Sequence, residues 1–180
     1  MELNQTALQN AVLATRGGDR RAFRRIYDAH VAALFRFMRQ FSKSEDELDD
    51  WVQRAFIRAY ERLDQFDINA RFEPWLFQIG VNEMRSDRRR ANIIPFVRVA
   101  DEERMESQLN EEFDWEITMK DVLASLDETK RMVFVLHEVE GFSHQEIAGT
   151  LNIQESHSRT ILARTKQLLR TLLANERKAL

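Results

Sequence analysis

The chain has 180 residues, of which 43% are hydrophobic and 32% charged, a balance typical of a folded globular protein. The absence of Cys excludes disulfides, thiolate catalysis and cysteine-bound zinc, and the net charge of −3 excludes a uniformly basic nucleic-acid binder. Five Gly and two Pro are too few for an all-β protein, and neither a membrane-length apolar run nor a signal-peptide core is visible, so we expect a helical, cytoplasmic protein.

The first predicted helix follows Gly17 and Gly18, with Asp19 as its N-cap. Its apolar residues recur at helical spacing and are Phe23, Ile26, Tyr27, Leu34, Phe37, Met38 and Phe41. A second helix is predicted to open at Ser44, which has the spacing of a capping box with Glu47. The apolar stripe of this second helix continues to Leu63, and its remaining face is acidic.

A loop from Asp64 to Arg71 precedes the third predicted helix, whose first turn suits Pro74. This helix has Trp75, Leu76, Ile79 and Met84 on its apolar stripe, and it ends in the run Arg88, Arg89 and Arg90. Core packing is favoured over base stacking for all three tryptophans, which are Trp51, Trp75 and Trp115.

The helical periodicity is lost from about Ala91 to Glu112, a stretch that contains Pro95 and a cluster of acids. We predict a linker at 92–112 between an N-terminal domain, 1–91, and a C-terminal domain, 113–180. Charge is segregated along the chain, with an acidic stretch over 99–116 and a basic one over 154–180. Such segregation suits a protein that meets DNA with some faces and a basic protein with another.

The strongest local pattern is SHQEIAGTLNIQESHSRTILAR, over 143–164, which predicts a helix-turn-helix. Ser143 and Glu146 form a capping box, the small Ala148 fits a helix crossing, and Asn152 tolerates a left-handed turn. The second helix begins near Glu155 and is predicted to expose Ser156, His157, Arg159, Thr160, Arg164 and Lys166. A helical hairpin that never touches DNA has similar spacing and is the alternative.

Three blocks of the sequence resemble the extracytoplasmic-function sigma factors of bacterial RNA polymerase. DELDDWVQRAFIRAYERLDQFD is similar to region 2.2, FEPWLFQIGVNEMRSDRRR to regions 2.3 and 2.4, and SLDETKRMVFVLHEVEGFSHQEIAGTLNI to region 4. The blocks stand in the family's order and cover about 19–91 and 117–172. The resemblance implies an all-α protein of two small helical domains, a region 2 bundle and a region 4 helix-turn-helix, joined by a flexible linker.

The resemblance also implies which residues meet each partner of an alternative sigma factor. The polymerase core is expected to be contacted at the clamp helices of its largest subunit and at its flap region. The clamp contact maps in region 2.2 onto Asp49, Asp50 and Gln53. Capture of the −10 element maps onto Asp67, Ile68, Asn69, Ala70, Arg71, Phe72, Asn82, Arg85, Arg88, Arg89 and Arg90. Readout of the −35 element maps onto Ser156, His157, Arg159, Thr160, Arg164 and Lys166. Many members are held by an anti-sigma factor, often membrane-bound, so such a partner is also expected.

The sequence departs from the family pattern at three positions. Arg54 stands where an acid is usual, Ser158 where an apolar residue packs, and Ile161 where Arg is frequent. These departures affect the polymerase contact and the −35 readout rather than the assignment.

Other functions explain less of the sequence. A stand-alone helix-turn-helix regulator leaves 44–90 without a role, and a pure protein-interaction module makes the recognition-helix pattern accidental. No nucleophile–base set or phosphate-binding Gly loop supports an enzyme, and the four His lack metal-ligand spacing. We therefore expect no catalytic residues, no metal and no cofactor.

Overall fold

A computed structural model of the protein describes residues 3–93, 123 and 125–176, and within these residues the regular elements are all helical. The N-terminal half contains α1 (Gln5–Arg16), α2 (Arg20–Arg39), α3 (Glu45–Glu61), a 3₁₀ turn (Leu63–Gln65) and α4 (Phe72–Ile93). The C-terminal half contains α5 (Glu128–Glu138), α6 (His144–Leu151) and α7 (Glu155–Glu176). None of the helices in these ranges combines the length and the apolar character that crossing a bilayer requires.

Helix α1 is an element that the sequence interpretation missed. The Asn4 side chain accepts a hydrogen bond from the Ala7 N–H at 2.8 Å, which caps the helix. Gly18 then takes a left-handed φ of 97°, and Asp19 caps α2 as predicted. The apolar face of α1 is short and rich in Ala, which explains why its periodicity did not stand out.

Helices α2, α3 and α4 pack around a core that contains most of the predicted stripe residues. The fully buried members include Ile26, Leu34, Phe37, Met38, Leu48, Trp51, Leu76 and Met84. The capping box predicted at Ser44 is half formed: Ser44 accepts from the Glu47 N–H at 3.2 Å. The Glu47 carboxylate accepts instead from the N–H of Lys43, one residue before the position that the box requires.

The helix-turn-helix forms as the sequence predicts. Ser143 and Glu146 make both hydrogen bonds of the capping box at the start of α6. Asn152 ends α6 with a φ of 57°, the left-handed conformation that its short side chain tolerates. Helix α7 begins at Glu155, and its buried stripe consists of Ser158, Leu162, Thr165 and Leu169.

The two halves pack against each other, chiefly through α4 and α6. Phe77 of α4 and Phe142, which precedes α6, have ring centroids 5.2 Å apart. Gln78 donates a hydrogen bond to the Gly149 carbonyl at 2.8 Å, and Arg131 of α5 donates to the Gln40 carbonyl at 2.7 Å. The described part of the chain is therefore in a closed arrangement. Helix α4 continues through the first two positions of the predicted linker, to Ile93, whereas the rest of the linker and Trp115 lie outside the described residues. The domain boundaries stay a prediction.

Candidate protein and nucleic-acid interfaces

An open groove of about 940 Å³ runs along the outer face of α2 and α3. Its floor and walls are mostly apolar, and Ile57 and Tyr60 remain 49% and 41% exposed. The lining residues are Arg20, Phe23, Tyr27, Val31, Phe35, Asp49, Val52, Gln53, Phe56, Ile57, Tyr60 and Glu61. An exposed apolar surface of this kind, bordered by polar residues, is typical of a site that binds another protein.

Two of the three residues predicted to bind polymerase, Asp49 and Gln53, line this groove, whereas Asp50 is exposed beside it. The groove itself was not predicted, because apolar residues at helical spacing were interpreted as core. A signal was available: Phe23, Tyr27, Val31 and Phe35 follow each other at every fourth position and form a second row beside the buried one.

Asp87 connects α3 to α4 and accounts for the unusual Arg54. Its carboxylate accepts from the Trp51 Nε1–H at 3.2 Å and from Arg54 Nη2 at 3.1 Å. The Arg88 guanidinium lies over the Trp51 ring, 5.5 Å from its centroid. Arg54 is thus turned towards α4, where it holds the helix that bears the predicted −10 residues.

The loop before α4 is held from behind by α1. The amides of Gln5 and Gln9 donate to the Ile68 carbonyl at 3.4 and 3.2 Å, and Gln5 also donates to the Ala70 carbonyl at 3.3 Å. The Asp67 carboxylate accepts from the Asn69 N–H at 3.0 Å, forming a turn of the Asx type. These bonds use the loop backbone and leave the side chains of Asp67 and Asn69 exposed.

Phe72 requires a correction. It was predicted to belong to the −10 contact surface, but its side chain is completely buried. It packs against His30, Phe66 and Trp75, with ring centroids 4.9 to 5.4 Å away. Because these aromatic contacts enclose its ring, Phe72 anchors the start of α4 in the core. It therefore positions the loop rather than contacting a base.

The remaining predicted −10 residues divide into two groups. Asn82, Arg89 and Arg90 are exposed on α4. Three arginines instead contact the C-terminal half: Arg71 pairs with Glu146 at 3.2 Å and Arg85 donates to the Leu151 carbonyl at 3.2 Å. The third, Arg88, pairs with Glu128 and donates to the Phe41 carbonyl at 2.6 Å.

Helix α7 presents five of the six predicted −35 residues to solvent, namely Ser156, His157, Arg159, Thr160 and Arg164. Ser156 and Thr160 lie opposite the buried stripe, whereas Arg159 lies on its flank and pairs with Glu155. Lys166 is half-buried and pairs with Glu138 of α5 at 2.7 Å.

The two departures in α7 both face inward. Ser158 is completely buried, and its hydroxyl lies 3.0 Å from Nδ1 of His144. Ile161 is partly buried and packs against the core, so this position is used for stability rather than for a phosphate contact.

Comparison with known proteins gives two family matches, Sigma-70 region 2 over residues 26–93 and Sigma-70 region 4 over residues 118–180. The RNA polymerase sigma factor NccH of Alcaligenes xylosoxydans xylosoxydans is 32% identical, with 87% of this chain and 89% of NccH aligned. The ECF RNA polymerase sigma factor SigW of Bacillus subtilis is 27% identical, with 92% of this chain and 96% of SigW aligned.

Solved structures give the same result. CnrH in complex with the cytosolic domain of CnrY superimposes with a TM-score of 0.68 at 30% identity, covering 94% of this chain and 98% of CnrH. The sigma factor RpoE of Bartonella quintana, solved with the anti-sigma factor NepR, shares the fold with a TM-score of 0.68 at 24% identity, covering 84% of this chain and 96% of RpoE.

Proposed function

The chain belongs to the sigma-70 family of RNA polymerase sigma factors, in its extracytoplasmic-function group, and from this premise we propose a role for each of the surfaces described above. As a sigma factor it directs the polymerase to particular promoters. The α2–α3 groove receives the polymerase core, the 67–71 loop together with α4 captures the −10 element, and α7 reads the −35 element.

The polymerase contact is supported by the groove that Asp49 and Gln53 border. An apolar groove flanked by acids suits a helix whose apolar stripe is flanked by basic residues. Apolar burial supplies most of the affinity in such a contact, while exposed charges contribute only about 0–1 kcal/mol each and steer the approach. Asp50, exposed beside the groove, belongs to this steering group.

The experiment that tests the groove replaces its most exposed aliphatic residue, Ile57, by Asp. We expect binding of the purified core polymerase to weaken by at least tenfold, because a carboxylate is then buried without a partner. Leu13→Asp is the matched control, since Leu13 is 55% exposed on α1 and does not line the groove. Equal losses from the two variants, or none from Ile57→Asp, would contradict docking in this groove.

Promoter opening requires a binding site for a base that has left the DNA stack, at a cost of a few kcal/mol. The exposed side chains of Asp67 and Asn69, with Asn82 on the neighbouring helix, offer donors and acceptors for a base edge, and the exposed methyl group of Ala70 offers an apolar contact beside them. Arg89 and Arg90 continue the surface with charges that suit the adjacent phosphates. Ile68 anchors the loop through its backbone carbonyl, which accepts hydrogen bonds from Gln5 and Gln9 of α1.

Readout of the −35 element is assigned to α7 in the same way. Ser156 and Thr160 are central on its exposed face and suit base edges, and His157 and Arg159 flank them. Arg164 lies about one turn beyond Thr160 and suits the DNA backbone. Lys166 can contact a DNA phosphate only if its ion pair with Glu138 breaks. Its role in DNA binding is therefore secondary to its role in holding α7 against α5.

The partners and the location follow from the same role. The protein has no catalytic activity of its own and acts in the cytoplasm, where polymerase and promoter meet. Similar proteins were solved with CnrY and with the anti-sigma factor NepR. By analogy, an anti-sigma factor holds this chain until a signal arrives.

A stand-alone regulator is the competing function, and one measurement separates the two. The sigma role predicts that the purified protein retards a promoter duplex only when core polymerase is present. Arg71, Arg85 and Arg88 support this expectation, because all three are engaged within the protein. Tight, sequence-specific binding without polymerase would favour the regulator.

A further inference from the structure

A chain of polar contacts fastens helix α7 to the two helices that precede it. Ser158 of α7 is hydrogen-bonded to His144 Nδ1 at 3.0 Å, and the His144 ring stacks on the His137 ring, with centroids 4.6 Å apart and planes 13° from parallel. His137 donates from Nδ1 to the Phe142 carbonyl at 2.8 Å. Its Nε2 lies 3.6 Å from the Glu138 carboxylate, which pairs with Lys166 of α7 at 2.7 Å.

This chain of contacts touches α7 at two points, Ser158 and Lys166, which are eight residues or roughly 12 Å apart along the helix. Polar contacts at two points on one side of a helix fix its rotation about its own axis, because hydrogen bonds and ion pairs depend on direction and distance. Apolar packing is non-directional and restricts the rotation less. Ser158 is completely buried, so its hydroxyl must keep a partner. His144 supplies that partner, and only a narrow range of rotations keeps the two groups within 3.0 Å.

We propose that the contact between His144 and Ser158, backed by the stacked His137, sets the rotation of α7 and thereby decides which of its side chains face the bases of the −35 element. His144 and Ser158 are then positioning residues, since neither touches DNA. The inference rests on the proposed reading of the −35 element by α7. A rotation of about 10–20° is enough to degrade a binding constellation.

The same geometry predicts an effect of pH. The charged or titratable groups that face His144 are His137 on α5 and three residues on α7, namely Glu155, Arg159 and Lys166. Glu138 contacts the ring of His137. Burial, followed by the charge of His137, lowers the pKa of His144. A His with a lowered pKa in the folded state stabilises the fold above pH 6.5, its ordinary value, and loses that contribution as the pH falls below it. Two protonated rings in this stack also repel each other.

The test uses holoenzyme assembled from the full chain and core polymerase, with promoter selection from a library randomised across the −35 element. Ser158→Ala removes the hydroxyl, His144→Phe keeps the stack without the nitrogen, and His144→Asn restores a polar atom near the position of Nδ1. We expect preference at one or two −35 positions to fall about tenfold in the first two variants and to recover in the third. Wild-type preference should also weaken between pH 7.5 and 5.5, and it should weaken more steeply than that of His144→Phe, which retains His157 but not the titratable ring at position 144.

Thr171→Ala is the matched control, because it removes an exposed hydroxyl of α7 that bonds only its own helix, at the Gln167 carbonyl. Unchanged selection by His144→Phe and Ser158→Ala, beside a clear wild-type preference, overturns this inference and leaves the proposed function intact. A wild-type holoenzyme without any −35 preference overturns both. If Ser158→Ala fails to fold, the comparison of His144→Asn with His144→Phe decides.

Discussion

Side chains that are close in sequence on α4 have different surroundings. Asn82 is exposed, whereas Arg85 and Arg88, three and six residues on, are engaged by the C-terminal half. The amide of Asn82 offers a donor and an acceptor to one base edge. Its proposed role therefore differs from that of the cations, which neutralise phosphates regardless of sequence.

Replacing Asn82 by Ala is expected to lower the yield of open complex severalfold while closed-complex binding stays near wild type. The reason is that the amide acts only on a base that has left the stack. Permanganate reactivity of the −10 thymines reports the open complex, and filter binding at low temperature reports the closed one. Asn10→Ala, on the exposed face of α1, is the control. Equal opening by wild type and Asn82→Ala would remove Asn82 from base capture.

Glu140 is a buried carboxyl group between the halves, with a side chain only 8% exposed and its partner Arg36 at 3.7 Å. Burial raises the pKa of Glu140 above its ordinary 4.5. A carboxyl whose pKa is raised in the folded state stabilises most below pH 4.5, and this contribution disappears as the pH rises through the raised value.

We therefore expect Glu140→Gln to be more stable than wild type at pH 7, with the difference shrinking towards pH 4.5. Thermal melting as a function of pH measures it. Glu61→Gln, at an exposed ion pair with Arg58, controls for the loss of a surface charge and should change little. A Glu140→Gln protein that melts below wild type at pH 7 would show that the carboxylate is stabilising as an ion.

The turn between α6 and α7 depends on one left-handed residue. Asn152 holds a φ of 57° and donates its N–H to the Ala148 carbonyl, which ends α6. A side chain without a local hydrogen bond costs about 1–2 kcal/mol in this conformation. Asn152→Ala is thus expected to lower the free energy of unfolding by about that amount in urea titration. Asn152→Gly should stay near wild type, and similar losses from both would point to a lost side-chain contact instead.

Helices and caps with local causes were predictable from the sequence. The cap of α2 at Asp19, the capping box at Ser143 and the turn at Asn152 depend on residues within four positions of each other. The role of Phe72 was not predictable in this way. Its burial depends on Phe66, Trp75 and His30, which only the tertiary fold brings together.

The groove was missed for a similar reason. An apolar residue on a helix has the same local pattern whether a neighbouring helix covers it or nothing does. The engagement of Arg71 and Arg85 by the C-terminal half was equally invisible, since their partners, Glu146 and the Leu151 carbonyl, lie more than 60 residues away along the chain. Contacts between distant segments set these properties.

At the scale of the whole molecule, the closed arrangement places α6 against the helix that is proposed to face the −10 element. Gln78 reaches the Gly149 carbonyl at 2.8 Å, and a Cβ atom added at Gly149 would meet nothing within 4 Å. Because the chain has no Cys, Gln78→Cys and Gly149→Cys can be joined selectively by a short thiol-reactive cross-linker that a reductant cleaves.

The cross-linked protein is expected to support promoter opening at less than one tenth of the wild-type level, and reduction should restore it. The expected reason is that α4 and α7, which are proposed to bind the −10 and −35 elements of one promoter, are held together by the packing of α4 against α6. Abortive transcription before and after reductant measures this, and each single Cys variant is a control. Full activity of the cross-linked protein would mean that the closed arrangement is compatible with promoter binding.

Glu146 is the point where the two halves share one side chain. One carboxylate oxygen accepts from the Ser143 N–H and hydroxyl at the start of α6, at 2.7 and 2.8 Å, and the other accepts from Arg71 at 3.2 Å. Glu146 therefore has two structural roles. Gln at this position would keep the cap but give up the charge that Arg71 needs. We therefore expect substitutions in the loop that contains Arg71 and in the helix-turn-helix to be coupled, and we expect a chimera that exchanges one half between relatives to lose the match between Arg71 and Glu146.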